Sequence, residues 1–324
     1  MTEKGISIIV CCYNSEKRLP KTLEYLAKQT ISKEIPVELI IVNNVSTDRT
    51  KEVAKEEWKQ YDSHFQLRIV DEEKAGQMFA RQRGVHESQY EYILFCDDDN
   101  WLETDYMQIA FDLMEANPRI GALGGQSIAV SDVDFPEWFS DFYDGYALGQ
   151  QAHTSGDISE RRYVWGAGMF TRKMLLTKVF DKNYPLLIEG RTGSKLISGD
   201  DNEICMRILL LGYTLYYDSS LVFYHYMSPN RLTWAYKKDL WEGFKVAWSS
   251  YGKYHLIYRE MNKSFWNKTK GILHHILKIP LKSGDTKNKL KAELAVKLGL
   301  LFRSTKISKD LEYRKILRFL FDNR

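Results

Sequence analysis

The sequence predicts an α/β protein: a mostly parallel sheet flanked by helices, followed by a helical C-terminal extension. Three observations carry this expectation. Over roughly the first hundred residues, short runs rich in Val, Ile and Leu alternate with segments of helical periodicity, the rhythm of βαβ units. Those runs are largely apolar rather than alternately polar, as strands covered on both faces are. Residues 226–324 then lose the strand pattern and carry 22 Lys and Arg against 8 Asp and Glu, leaving 24 against 35 in residues 1–225. Two functional parts are expected, an acidic one at 1–225 and a basic helical one at 226–324.

The elements follow in order. Ile6–Cys12 reads as a buried strand, broken by Tyr13-Asn14-Ser15, with Ser15 placed to cap a helix whose Leu19, Leu23, Leu26 and Ala27 keep helical spacing. Val37–Val42 is a second strand ending in Asn43-Asn44-Val45-Ser46-Thr47-Asp48, and a helix spans about 48–60. Leu67–Val70 is a third strand, and a helix over 76–86 leads into a fourth, Tyr92–Cys96. From Ile120 the rhythm changes: a glycine-rich strand over 121–126, an aromatic loop over 135–146, and a short helix near Arg172. Asp201–Leu211 is a helix closed by Gly212, and Tyr213–Tyr217 and Leu221–Tyr226 read as two short strands. Three apolar stripes, over 240–248, 265–277 and 290–302, alternate with lysines and predict amphipathic helices.

The fourth strand ends in Asp97-Asp98-Asp99. Ligands bind at the carboxyl ends of strands in open α/β sheets, so these carboxylates point at the expected site. Their mutual repulsion is relieved either by a divalent cation, with Mg²⁺ or Mn²⁺ suiting oxygen ligands, or by solvation of a plain acidic turn. The four cysteines form no CxxC pair, which argues against a zinc site or disulfide framework and for a reducing compartment. Met1-Thr2-Glu3-Lys4-Gly5 runs straight into the first strand, so no leader is expected, and no stretch nears the ~18 apolar residues of a membrane span. No nucleic-acid-binding motif appears.

Four further stretches flank the acidic tip in a fixed order. They are Ser7-Ile8-Ile9-Val10-Cys11-Cys12-Tyr13-Asn14, Ile41-Val42-Asn43-Asn44-Val45-Ser46-Thr47-Asp48, Gly76-Gln77-Met78-Phe79-Ala80-Arg81-Gln82-Arg83-Gly84, and Gly199-Asp200-Asp201-Asn202-Glu203-Ile204-Cys205-Met206-Arg207 with Leu211-Gly212-Tyr213. Together with Asp97-Asp98-Asp99 as a DXD motif, residues 5–225 resemble the family-2 glycosyltransferases of GT-A fold. The resemblance implies a nucleotide-diphospho-sugar donor contacted by Cys12, Tyr13, Asn14, Asn43, Gly76, Arg81, Asp97 and Asp98. It implies Mn²⁺ or Mg²⁺ on Asp99 and Asp97, with His225 as a third ligand. Asp201 stands at the family's general base and Asp200 beside it, where an acid orients the acceptor, so transfer would invert the anomeric centre.

The sequence departs from the family pattern at Asn43 and Asp200, where the family prefers Asp and Glu, and at Gln82, where it prefers Asn. Arg81 is suited either to a phosphate or to a strand-tip carboxylate. Asp98 is expected to be solvated, and Trp165 to lie beneath an acceptor sugar or in the core. Arg231-Leu232-Thr233-Trp234 is a loose echo of the processive members' Q-x-x-R-W, so one sugar per encounter is expected. The implied acceptor is a glycan or lipid-linked glycan, as in cell-surface polysaccharide synthesis. The basic helices would either meet an anionic membrane or merely cap the catalytic part, giving a cytoplasmic protein, peripheral on the inner membrane face in the first case. A non-catalytic nucleotide-sugar-binding module and a nucleotidyltransferase are the competing readings, the latter disfavoured because Tyr13-Asn14-Ser15-Glu16 is not a Gly-rich phosphate loop.

Overall fold

Residues 3–193 and 195–324 are described by the computed structural model. β1 (Glu3–Cys12), α1 (Leu19–Ala27), β2 (Val37–Asn44), α2 (Thr50–Trp58), β3 (Gln66–Glu72), α3 (Gln77–Glu87) and β4 (Tyr90–Asp97) keep the expected alternation. β1 pairs in parallel with β2 on one side and β4 on the other, and β2 pairs with β3. The chain therefore winds outward from β1 to β3 and recrosses to β4, so the strand order reverses between β1 and β4. A crevice opens at such a reversal. The register Cys11↔Asp97 sets the Cys12-Tyr13 turn beside the acidic tip.

β5 (Asn100–Leu102), α4 (Tyr106–Ala116), β6 (Ile120–Val130), β7 (Gly156–Asp157), β8 (Phe170–Arg172), α5 (Lys173–Val179), α6 (Asp200–Leu210) and β9 (Thr214–Tyr226) complete the sheet. Its order is β3-β2-β1-β4-β8-β6-β9-β5, with β7 on β9. The first four strands are parallel; in the second half β6 and β9 are parallel while β8 and β5 run against their neighbours. Two differences from expectation bear on the site. Tyr213–Tyr217 and Leu221–Tyr226 are one strand, because β6 carries its pairing past Asp218-Ser219-Ser220 with a register shift between Gly124 and Gln126. Gly125 makes that possible, since a Cβ there would lie 1.9 Å from the Leu221 carbonyl oxygen. The other is β5, too short to leave a periodic trace, whose pairing Asn100↔His225 brings a distant histidine to the acidic tip.

Side chains of the parallel strands alternate between two buried layers. Ile6, Ile8, Val10 and Leu94 meet Leu19, Leu23 and Leu26 of α1 and Met107 and Ala110 of α4. Ile9, Ile93 and Phe95 meet Ile204 and Ile208 of α6 on the opposite side. The extension comprises α7 (Trp234–Met261), α8 (Phe265–Lys278), α9 (Gly284–Leu301) and α10 (Leu311–Asn323). Tyr254 and Ile257 of α7, Val296 of α9, and Ile316, Leu317 and Phe319 of α10 share that second layer.

A buried polar network fastens α6 in place. The Arg207 guanidinium donates to the Val179, Tyr184 and Pro185 carbonyls and to Glu203. Glu203 also accepts from the Leu187 and Ile188 amides and from the Tyr254 hydroxyl of α7. A buried ion pair with every partner satisfied costs little and restricts geometry, and here it fixes the helix that begins with Asp200-Asp201.

Candidate active site

A cleft of about 1410 Å³ opens over the carboxyl ends of β1 and β4. One wall is built from the tips of β1 and β4 and the start of α3, the other from Trp165-Gly166-Ala167, the start of α6 and the outer face of α7.

The three carboxylates of the acidic tip meet different partners. Asp98 is not solvated as expected; it is buried, accepting from the Ser15 hydroxyl and from Arg18 Nη2 at 2.6 Å, and so ties the tip of β4 to the start of α1. Asp99 is also buried, with Oδ2 2.8 Å from Arg231 and Oδ1 3.4 Å from His225 Nε2. Burial alone would raise its pKa, but Arg231 and His225 outweigh that and hold it well below the usual carboxylate range. Asp97 is the most accessible, 3.9 Å from Arg81 Nη2.

Arg81 spans the two acidic motifs. Its buried guanidinium donates at 3.0 Å to Asp200 while its other end faces Asp97. Its nearest carboxylate is thus Asp200 at the start of α6, with the strand-tip Asp97 farther off. A Cβ at Gly166 would lie 2.5 Å from Arg81 Nη2, so only glycine lets the guanidinium reach across. The Gly166 amide donates in turn to Asp201 Oδ2 at 3.0 Å.

Asp201 thus differs from its neighbour. Asp200 is engaged by Arg81, whereas Asp201 faces the cleft with no cationic hydrogen-bond partner among the described residues. Burial first, and the adjacent Asp200 second, push the Asp201 pKa up to about 6 against the opposing pull of Arg81. A carboxylate so placed is a proton acceptor suited to near-neutral pH.

The other residues singled out in the sequence divide. Cys12, Tyr13, Gly76 and Arg81 line the cleft, with the Tyr13 ring half exposed at its mouth. Gly76, at φ 141°, adopts a backbone that favours glycine, and its amide donates to Asn44 Oδ1 at 2.8 Å. Asn14 and Asn43 do not line the cleft. Asn14, at φ 50°, accepts from the Thr47 amide and staples the first two strand-end loops together. Asn43 donates to Asp71 at 2.8 Å, and its neighbour Asn44 anchors the loop that reaches Gly76. Trp165 is buried rather than presented to solvent.

Asp99 and His225 are brought together as a possible cation site. Their facing oxygen and nitrogen, 3.4 Å apart, approach the about 3 Å edge of an octahedral Mg²⁺ shell. Among the described residues no three such side chains converge into a preformed cluster. Arg231 reaches both residues, 2.8 Å from Asp99 Oδ2 and 3.3 Å from His225 Nε2. Arg18, Asn44 and Gly166 were missed by sequence reasoning and Arg231 only noted; their partners lie 32–132 positions away, as Arg231 and Asp99 do, and leave no local pattern.

The family model described as Glycosyl transferase family 2 matches residues 7–180. A poly-beta-1,6-N-acetyl-D-glucosamine synthase of Staphylococcus epidermidis is 32% identical over 123 residues, 38% of this chain and 28% of that protein. The first curated relatives are matched over only 15–30% of their own length. The structure is similar to residues 1–349 of S. aureus TarS in complex with UDP-GlcNAc, with TM-score 0.56 and 17% identity, covering 98% of this chain and 89% of that one. It is also similar to a mannosyltransferase of Pyrobaculum calidifontis in complex with GDP-Man and Mn²⁺, with TM-score 0.52 and 14% identity over 98% and 74% of the two chains. At such identities the likeness is one of fold, the GT-A arrangement.

Proposed function

Because the chain belongs to glycosyl transferase family 2, we propose that it moves a sugar from a nucleotide-diphosphate donor to a hydroxyl of a glycan or lipid-linked glycan, inverting the anomeric centre. The observation that carries this reading is the placement of Asp201. Its pKa is raised, no cationic side chain bonds it among the described residues, and it lines the same cleft as the acidic tip, joined to it through Arg81. The donor would lie over the β1/β4 reversal, its base against Tyr13 and its diphosphate toward Asp97 and Asp99. Asp201 takes the proton of the acceptor hydroxyl as that oxygen bonds to the anomeric carbon. The bond from that carbon to the diphosphate oxygen breaks, and the nucleoside diphosphate leaves with the electron pair. A divalent cation held by Asp99 and His225 would supply charge neutralisation at the diphosphate. Arg231 keeps Asp99 ionised and oriented.

The glucosamine polymer named for the staphylococcal relative supports a glycan acceptor, and the UDP-GlcNAc and GDP-Man complexes support a nucleotide-sugar donor. The acceptor would enter along α7, where Trp234, Trp241 and Trp248 recur every seven residues and line the cleft. Aromatic faces of this kind stack on pyranose rings. One sugar per encounter remains our reading, and an acceptor borne on lipid would bring residues 226–324 to an anionic membrane. The test is a panel of nucleotide sugars, first for Mn²⁺-dependent thermal stabilisation and then for release of nucleoside diphosphate. Stabilisation by one donor together with release supports the proposal. Stabilisation without release, whatever the acceptor supplied, would favour a non-catalytic binding module.

A further inference from the structure

Large apolar side chains left in solvent are unevenly placed. Of the 20 that are exposed among the described residues, 13 lie between Trp234 and Leu311. The densest group is on α8 and the short turn after it, where Phe265, Trp266, Leu273, Ile276, Leu277 and Leu281 are 50–78% exposed. At about 3.6 residues per turn, the five on α8 fall in one arc of roughly 120°. A different side of the helix makes the contact with the protein. Ile272 and His275 are buried, and His275 Nε2 lies 3.0 Å from Glu293 of α9. The helix is thus anchored by one side while an unpartnered apolar arc faces outward.

The charge around the arc is of one sign. From Lys263 to Lys282 there are five lysines, two histidines and no Asp or Glu. Next to the arc stands Lys270, and beyond it His274 and Lys278, all exposed. A second copy meeting this face with its own offers no complement, since it would bring the same lysines against these. An anionic lipid surface offers both acyl chains for the arc and phosphates for its border. No helix among the described residues is long and apolar enough to cross a membrane, so the contact is in the plane of the interface.

We propose that α8 is an interfacial helix that docks the protein on an anionic membrane, with Phe265, Trp266, Leu273, Ile276 and Leu277 entering the headgroup region and Lys270, at the edge of the arc, meeting lipid phosphates. The physics is independent of catalysis; only its purpose, delivery of the cleft to a lipid-linked acceptor, rests on the glycosyltransferase reading.

The experiment is sedimentation of the full chain with vesicles of phosphatidylglycerol and phosphatidylcholine in equal parts, against vesicles of phosphatidylcholine alone. Binding to the first is expected, weakening as salt screens the lysines. Trp266→Glu should reduce it about tenfold or more, and Lys270→Glu by about fivefold. Each variant should keep the wild-type melting temperature and donor stabilisation, because the altered side chains touch neither core nor cleft. No binding to anionic vesicles overturns the proposal. So does equal binding by Trp266→Glu, or a dimer in light scattering that Trp266→Glu dissolves while vesicles are ignored. Vesicle binding without sugar transfer would retain this inference and sink the catalytic one; transfer to a soluble acceptor without vesicle binding would do the reverse.

Discussion

Replacing Asp201 by Asn should inactivate the protein and stabilise it at the same time. The Asp201 carboxyl is raised from 3.8 to about 6 by burial and by Asp200. A shift of about two units corresponds to roughly 3 kcal/mol of disfavoured ionisation. Asp201 is partly open to the cleft, so a gain of about 1–3 kcal/mol is the working range. The sign follows from linkage. The folded pKa lies above the unfolded one, so the protonated state stabilises the fold below about pH 4, and that contribution is lost as pH rises through about 6. Asparagine never ionises and still accepts from the Gly166 amide. Urea unfolding at pH 4.5 and pH 7.5 should therefore show the variant gaining on the wild type as pH rises. Turnover should fall by about 10²–10⁴, the usual contribution of a positioned base, with donor binding intact. Two results refute the reasoning: turnover within a few-fold of wild type, or a variant whose stability difference does not change with pH.

Other substitutions separate the roles of the arginines and aromatics. Arg81→Met strips the buried partner from Asp200 and leaves Asp97 facing an apolar side chain; a loss of about 3–5 kcal/mol in urea midpoints is expected, with Arg81→Lys recovering only part of it. Asp98→Ala should cost less, about 1–3 kcal/mol, because Arg18 is partly exposed and can rehydrate; thermal unfolding checks the ranking. Trp241→Ala removes a half-exposed ring, so the melting temperature should stay put while the acceptor KM rises and the donor KM does not. His225→Ala should weaken Mn²⁺-dependent donor stabilisation more than metal-free nucleotide binding, which calorimetry with and without chelator resolves.

The parallel half of the sheet was legible because each strand and helix carries its own local signal. Apolar runs and a glycine at Gly76 are readable within a dozen residues, whereas the reversal at β4 is not, and Ser15, expected to cap α1, gives its hydroxyl to Asp98 instead. The second half was not. β5 is three residues long, and β9 is continuous through an exposed Asp218-Ser219-Ser220 that reads locally as a turn. Only the partner strand β6 overrides that signal. Within the site, the residues Asp97, Asp99, Arg81 and Asp201 could be named in advance, but not their pairings. Arg81 and Asp200 are 119 positions apart, and nothing in either segment records the other. For the same reason the bonds of Asp98 to Arg18 and of Asn43 to Asp71 could not be read in advance.

These pairings change what the acidic tip means electrostatically. Three adjacent carboxylates would repel an anionic donor through a low-dielectric cleft if they stood alone. Instead each faces an arginine from a different element: Asp97 Arg81 of α3, Asp98 Arg18 before α1, and Asp99 Arg231 after β9. Asp98 and Asp99 are thereby paired before any ligand arrives, whereas Asp97 shares Arg81 with Asp200, and the three arginines converge on one end of β4 from three directions. Of these pairs, Asp97–Arg81 is the longest, and Asp97 is the most exposed of the three carboxylates. It is the member whose partner can be exchanged at least cost. A diphosphate entering the crevice would therefore compete first for Asp97, while Asp98 holds the backbone that presents it and Asp99 with His225 is left for the cation. On that basis Asp98→Asn should weaken donor binding through misplacement of the tip, whereas Asp97→Asn should do so directly. The two are told apart by stability: only the Asp98 variant should lower the melting temperature, and equal melting temperatures would break this division of labour.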